Sequence, residues 1–173
     1  PMPAEGYPIV LYAHGTGGDY RSYVRNGVGA MLAEQGIAVM GVDQIHHGER
    51  LPGGWDPSIP VFNVLNPLSL RDNARQSALD VVQQARLIDA LAVPITVTGR
   101  VAPVTFDTSK LYFYGHSQGG VNGPLFLAID DQAQGGVLSG AGAVFVIAVV
   151  DKTEPINIAD ILTLALGLPG VGM

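Results

Sequence analysis

The chain has 173 residues, enough for one domain, and combines 47% hydrophobic with only 14% charged residues, so much of its surface needs covering. A net charge of −6 without any cluster of Lys or Arg argues against a nucleic-acid partner, and the absence of cysteine rules out disulfides and thiol chemistry. The longest apolar runs, such as the one around Ala141 to Val150, are too short to span a bilayer, and there is no internal repeat, low-complexity tract or signal peptide.

In chain order, Pro8 to Ala13 reads as a strand buried on both faces, followed by the turn His14-Gly15-Thr16-Gly17-Gly18. Residues 20 to 35 form an expected helix closed by Gly36, and GIAVMGVDQI, residues 36 to 45, a second strand. Residues 46 to 67, HHGERLPGGWDPSIPVFNVLNP, are rich in Pro and Gly and hold the sole Trp, Trp55; they read as a loop shading a site. Leu68 to Ala92 predict a long helix with Ala74, Ala78, Val81, Ala85, Ile88 and Ala92 on one face. Asp80, Gln83 and Gln84 fall off that face, and Ser69 and Asp72 are spaced as a capping box. Leu111 to Tyr114 form a third buried strand, leading into GHSQGG and a further helix; GAVFVIAVV, residues 142 to 150, is a fourth strand. Strand alternating with helix in this way predicts an α/β fold, a mostly parallel sheet with helices on both faces.

Ser117 lies between Gly115 and Gly119 at the strand-to-helix turn. A sharp turn there presents the serine on its tip while helix and strand approach closely below, which requires small neighbours. The same geometry aims the N–H of Gln118 and the helix N-terminus at the place where an oxyanion would form. The amides of His14 to Gly18 offer a second donor from another loop. An ordinary glycine-rich turn is the plain alternative at each place, but two such turns of this kind and order are much rarer by accident.

On these two motifs, HG followed by a small residue and GHSQGG, the sequence resembles the α/β-hydrolase superfamily. The helix NPLSLRDNARQSALDVVQQARLID, the approach FD-x-S-K-LYFYGHSQGG and the LSGAG segment are similar to large bacterial esterases and lipases, many of them exported. The resemblance implies a hydrolase of carboxylic esters acting through an acyl-enzyme on Ser117, with Thr16 and Gln118 supplying oxyanion N–H groups and Gly17 a close alternative to Thr16. It further implies contacts around the substrate from His14, Gly15, Gly17, His116 and Trp55, an ester of small size as substrate, no cofactor, and a secreted or periplasmic location with any signal upstream of Pro1. A peptidase, thioesterase or acyltransferase on the same fold, and a non-catalytic binding module, stay open.

The base is not evident. His116 precedes Ser117 in the turn, where successive side chains diverge, and His14 resembles the histidine that stabilises the oxyanion loop; His46 and His47, on a loop at the same sheet edge, are the only in-chain candidates, although a turn or ion-pair role with Glu49 and Arg50 suits them better. No metal site is expected, since adjacent histidines on a loop lack a ligand spacing. In this superfamily the order is serine, acid, histidine. Asp151 sits where some lipases carry their acid, although a plain strand-end role suits it as well. Residues 1 to 150 are thus expected to be the N-terminal part of a hydrolase core, with about half of its strands, and residues 151 to 173 the start of a helical cap or a terminal helix. Acid and histidine are expected from a C-terminal segment or second chain outside these residues.

Overall fold

The computed structural model describes residues 2–51, 53–63, 65–142, 151, 153, 154 and 157–167. Strand β1, Tyr7–Ala13, has Ile9 to Ala13 all buried. Successive side chains in a strand point to opposite faces, so this unbroken burial means that both faces of β1 are covered. β2, Ala38–Gly41, and β3, Phe106–His116, flank it, and β4, Gly136–Ser139, pairs with β3. All neighbours are parallel, in the order β2-β1-β3-β4.

Parallel neighbours need crossovers, and helices supply them. α1, Ser22–Arg25, and α2, Val28–Glu34, join β1 to β2. The short α3, Ser58–Phe62, the long α4, Pro67–Ile88, and the single turn α5, Ile95–Thr98, lie between β2 and β3. α6, Gln118–Ile129, joins β3 to β4, and α7 is Ile158–Ala165. Ile9, Leu11, Ala13, Leu111 and Phe113 face α4 and α6, where Ala78, Val81, Ala85, Ile88 and Phe126 complete one core. Phe113 and Phe126 meet with ring centroids 5.3 Å apart. Each such fully buried apolar side chain contributes roughly 1.5–3 kcal/mol. On the opposite face Tyr12 stacks on Tyr114 and touches Tyr23 of α1, and Asn26 donates to its hydroxyl at 2.9 Å. Helices therefore cover both faces.

Several elements differ from the sequence reading. The helix expected over residues 20 to 35 is broken at Gly27, whose φ of 82° is left-handed and cannot continue a helix. α4 starts at Pro67, capped by Asn66, whose Oδ1 accepts from the Ser69 N–H at 3.2 Å. Ser69 and Asp72 thus form no capping box; Asp72 pairs instead with Arg71 and Arg75. α4 ends at Ile88, so Ala92 lies outside it and is exposed. Gln84 is buried with the apolar face, and its amide, like Ser77 Oγ, has no partner among the described residues. The sheet's fourth strand is Gly136–Ser139; the strand expected at 142 to 150 lies outside the described residues apart from Gly142. Among the described residues no helix is long and apolar enough to cross a membrane.

Candidate active site

Four loops meet at the C-terminal edge of the sheet, where ligands of open α/β sheets bind. They follow β1 (His14 to Gly18), β2 (Gln44 to His47), β3 (Ser117) and β4 (Gly140 to Gly142). Ser117 takes φ 50° and ψ −112°, a conformation that a non-glycine residue adopts only when its surroundings enforce it. Two contacts do so. The Ser117 N–H donates to the Ser139 carbonyl at 2.8 Å, and the Gly119 N–H to the His14 carbonyl at 3.1 Å. A Cβ on Gly115 would strike the Gly119 carbonyl, and one on Gly119 the Ala13 carbonyl. The spacing of the glycines around Ser117 is thus a packing requirement of strand against helix.

The loop after β1 is held close to this turn. A Cβ on Gly15 would come within 3.1 Å of Ser117 Cβ, and the Thr16 hydroxyl donates to Gln118 Oε1 at 2.9 Å. The backbone N–H groups of Thr16 and Gln118 make no hydrogen bond among the described residues. Gly17 differs. Its N–H donates to His47 Nε2 at 3.1 Å, so the alternative donor expected at Gly17 is already occupied.

Two of the four histidines have both ring nitrogens engaged, and none of the four hydrogen-bonds to Ser117 among the described residues. His14 is fully buried; its Nδ1–H donates to the Gly15 carbonyl at 2.8 Å and its Nε2 accepts the Gln44 N–H at 3.2 Å. Burial holds its pKa down at about 4, and the partners of both ring nitrogens fix the neutral tautomer. His14 therefore supports the loop and presents no ring atom to a ligand. His47, also buried, has the same arrangement, donating from Nδ1 to the Ile45 carbonyl at 2.9 Å, and burial again lowers its pKa. The two rings pack edge to face, 4.8 Å between centroids. His46 occupies a left-handed turn at φ 57°, and exposed His116 lies 3.3 Å from Ser139 Oγ. Of the roles expected for His46 and His47 beside Glu49 and Arg50, the turn is present, since the Arg50 N–H donates to the His47 carbonyl at 2.9 Å, and no ion pair joins them among the described residues. Instead Asp43 organises that turn, accepting from the Tyr20 N–H at 2.8 Å and the Glu49 N–H at 3.3 Å, while Arg50 pairs with Asp80.

A cavity of about 560 Å³ opens beside Ser117. Val61 and Phe62 of α3, Leu70 and Ala74 of α4 and Val121 of α6 form its apolar wall, with Asp151 and Glu154 also lining it. Asp151 hydrogen-bonds to no histidine among the described residues. Trp55 is 59% exposed and does not line the cavity. Three further residues were not anticipated: Asn73, Gln118 through its side chain, and Asn122, all buried amides of the cavity lining. Asn122 donates to Gln44 Oε1 at 2.9 Å, and Gln44 Nε2 donates to the His14 carbonyl, which ties α6 to the loops after β1 and β2. The one cue in the sequence is the spacing of Gln118 and Asn122, one helical turn apart and so on one face. Among the described residues no group of three or more His, Asp or Glu is disposed to hold a metal ion.

No protein-family model matches the chain, and no curated protein sequence matches it. Solved structures do. An acetyl xylan esterase from Paenibacillus sp. R4 superposes with a TM-score of 0.59 at 22% identity, covering 93% of this chain and 48% of its own. Est1E from Butyrivibrio proteoclasticus, solved with ferulic acid bound, gives 0.53 at 18% identity, covering 90% and 53%. The fold is that of the α/β-hydrolases. A Klebsiella pneumoniae structure assigned as a dienelactone hydrolase gives 0.53 at 20% identity, covering 83% and 52%. The chain thus spans about half the length of these α/β-hydrolase structures, and at such identities the likeness is one of fold.

Proposed function

We propose that the chain carries the nucleophile half of a serine esterase. Ser117 Oγ attacks an ester carbonyl, the N–H groups of Thr16 and Gln118 hold the oxyanion, and the alcohol leaves with the serine's proton relayed through a histidine. Water then releases the acid from the acyl-enzyme. The observation that carries this reading is the strained Ser117 turn beside two backbone N–H groups that have no partner among the described residues. The acetyl xylan esterase among the structural neighbours supports the same reaction class.

The histidine is assigned to polypeptide outside residues 1 to 173, because His14 and His47 have both ring nitrogens occupied and none of the four hydrogen-bonds to Ser117 among the described residues. The acid comes from the same segment, with Asp151 of the cavity lining as the in-chain alternative. By its resemblance to exported esterases, the protein is assigned to the periplasm or the outside of the cell. One observation favours a second reading, a non-catalytic binding module: no histidine of this chain reaches Ser117. Labelling of the native full-length protein with a fluorophosphonate separates the two. Ser117→Ala should abolish labelling and lower turnover of an activated ester on the order of a million-fold. A folded Ser117→Ala protein that keeps most of its activity would remove Ser117 from the mechanism, and a single hydrolytic species of 18.1 kDa would return the search for the base to His46 and His47.

A further inference from the structure

Asn73, Gln118 and Asn122 line the cavity next to Ser117, although each is no more than 9% exposed. Among the described residues each is hydrogen-bonded at one end only, and its other end has no partner there. Asn73 Nδ2 donates to the carbonyls of Pro60 and Val61 at 2.9 and 3.0 Å, which leaves Oδ1 without a partner. Gln44 gives its Nε2 to the His14 carbonyl, so its Oε1 must accept from Asn122 Nδ2, which leaves Asn122 Oδ1 without one. Gln118 Oε1 accepts from Thr16, and its Nε2 is unpaired. The polar side-chain atoms sealed from solvent without a partner among the described residues are Ser77 Oγ and the Gln84 amide alone. Among the described residues the free ends of the three cavity amides are therefore not sealed from solvent, and the cavity that all three residues line is the opening beside them. Buried amides held rigidly at one end cost little further ordering when a ligand binds the other.

The free ends define a chemistry. Two carbonyl oxygens accept and one amide N–H donates, within an apolar wall that carries Phe62. Asp151 and Glu154 line the same cavity, and among the described residues no Lys or Arg does. An alkyl chain would leave all three amide ends unpaired once water is expelled, and a carboxylate would meet two oxygens and two acids. A hydroxyl group donates and accepts at once and satisfies both kinds of end.

We infer that the cavity selects esters whose group beside Ser117 is a compact apolar body bearing a neutral hydroxyl, with Asn73, Asn122 and the Gln118 side chain as the residues that read it. The inference rests on Ser117 being the nucleophile, and it is tested on the full-length protein with three 4-nitrophenyl esters. Their acyl groups are (4-hydroxyphenyl)acetyl, (4-methylphenyl)acetyl and (4-carboxyphenyl)acetyl. The hydroxyl ester should exceed its methyl isostere in kcat/KM by roughly ten- to a hundredfold, since sites built to hydrogen-bond a hydroxyl reject the analogue lacking it, and the carboxylate should be poorest. Asn73→Leu and Gln118→Met should each lower the hydroxyl-to-methyl ratio. Should Asn73→Leu fail to fold because it frees two carbonyls, Gln118→Met and the wild-type ratio decide. A methyl ester hydrolysed as well as the hydroxyl ester, or a ratio unchanged in the folded variants, overturns the inference while leaving the esterase intact. If no ester is hydrolysed and no fluorophosphonate label is taken up, the nucleophile reading has failed. Calorimetric binding of (4-hydroxyphenyl)acetamide against (4-methylphenyl)acetamide then decides the cavity's preference by itself, and equal or absent binding refutes it.

Discussion

Acidification should destabilise this protein in a window that belongs to its two buried histidines. His14 has no exposed surface, and burial, the largest influence, together with His47 beside it, outweighs the favourable bond to Gly15 and the more distant Asp43 and Asp19. Its pKa falls from the ordinary 6.5 to about 4. At about 1.4 kcal/mol per pKa unit, that difference amounts to about 3 kcal/mol. The sign follows from where each state takes up its proton. An unfolded chain binds it as pH drops through 6.5, the folded chain only near 4, so the stability is complete above 6.5, lost progressively down to 4 and level below that. His47 is shifted the same way and adds to the loss. Carboxylates held low by neighbours, Asp72 by Arg71 and Asp107 by Ser109 and Lys110, release their stabilisation only below the ordinary value of 3.8, outside this window. Urea unfolding followed from about pH 7.5 to about pH 4.5 should thus show a fall of about 3 kcal/mol or more, and His14→Gln should flatten the slope. A flat profile between those values, or a His14 ring resonance titrating near 6.5, would refute the reasoning.

Thr16→Pro, which deletes the N–H next to Ser117, should lower ester turnover about a hundred- to a thousandfold more than Thr16→Ala, which keeps it, in variants that unfold at the same urea concentration. Equal turnover would mean that the donor lies elsewhere, and Gly17 is not available because His47 holds it. Gly119→Ala should cost about 1–3 kcal/mol in urea unfolding, because its Cβ would lie 2.6 Å from the Ala13 carbonyl carbon and 2.8 Å from Ala13 Cβ, where only backbone movement can relieve the clash. Gly135→Ala, with open space around its Cβ, is the control and should stay within about 0.5 kcal/mol; a Gly119→Ala protein as stable as that control would contradict the packing of α6 on β1.

The strands that were legible are those whose apolar runs reflect burial on both faces. β1 and β3 carry the sheet, and their runs of Ile, Val, Leu, Tyr and Phe have no periodicity because both faces are covered. β4 escaped notice for the opposite reason. Gly136–Ser139 is four residues long with Val137 and Leu138 substantially exposed, and the richer run after Gly142 drew the reading past it. The start of α4 shows two local signals in competition. Asn66 and Ser69 are both good caps, and Pro67 favours Asn66, because the fixed φ of proline suits the first helical position, where its missing N–H costs nothing.

The site divides along the same physical line. The sharp turn that carries Ser117 was readable because a strand-turn-helix is specified by neighbours a few residues apart, glycines included. The supporting place of His14 in the loop after β1 was also expected, but the burial of His47 against it was not. Whether His14 and His47 titrate depends on the loop after β2 folding over the loop after β1, a contact thirty residues apart that no local pattern encodes. The amides were hidden by a third effect. An Asn or Gln on a helix reads as solvated until another segment covers it, and Asn73 is held against α3 while Asn122 is held by Gln44 of the loop after β2. Gln84 marks the limit of the argument, for it is covered as completely as they are and finds no partner among the described residues. Burial alone therefore cannot distinguish a reading group from a frustrated one. What distinguishes Asn73, Asn122 and Gln118 is that each has one end fixed by a named partner and the other open to the cavity beside Ser117.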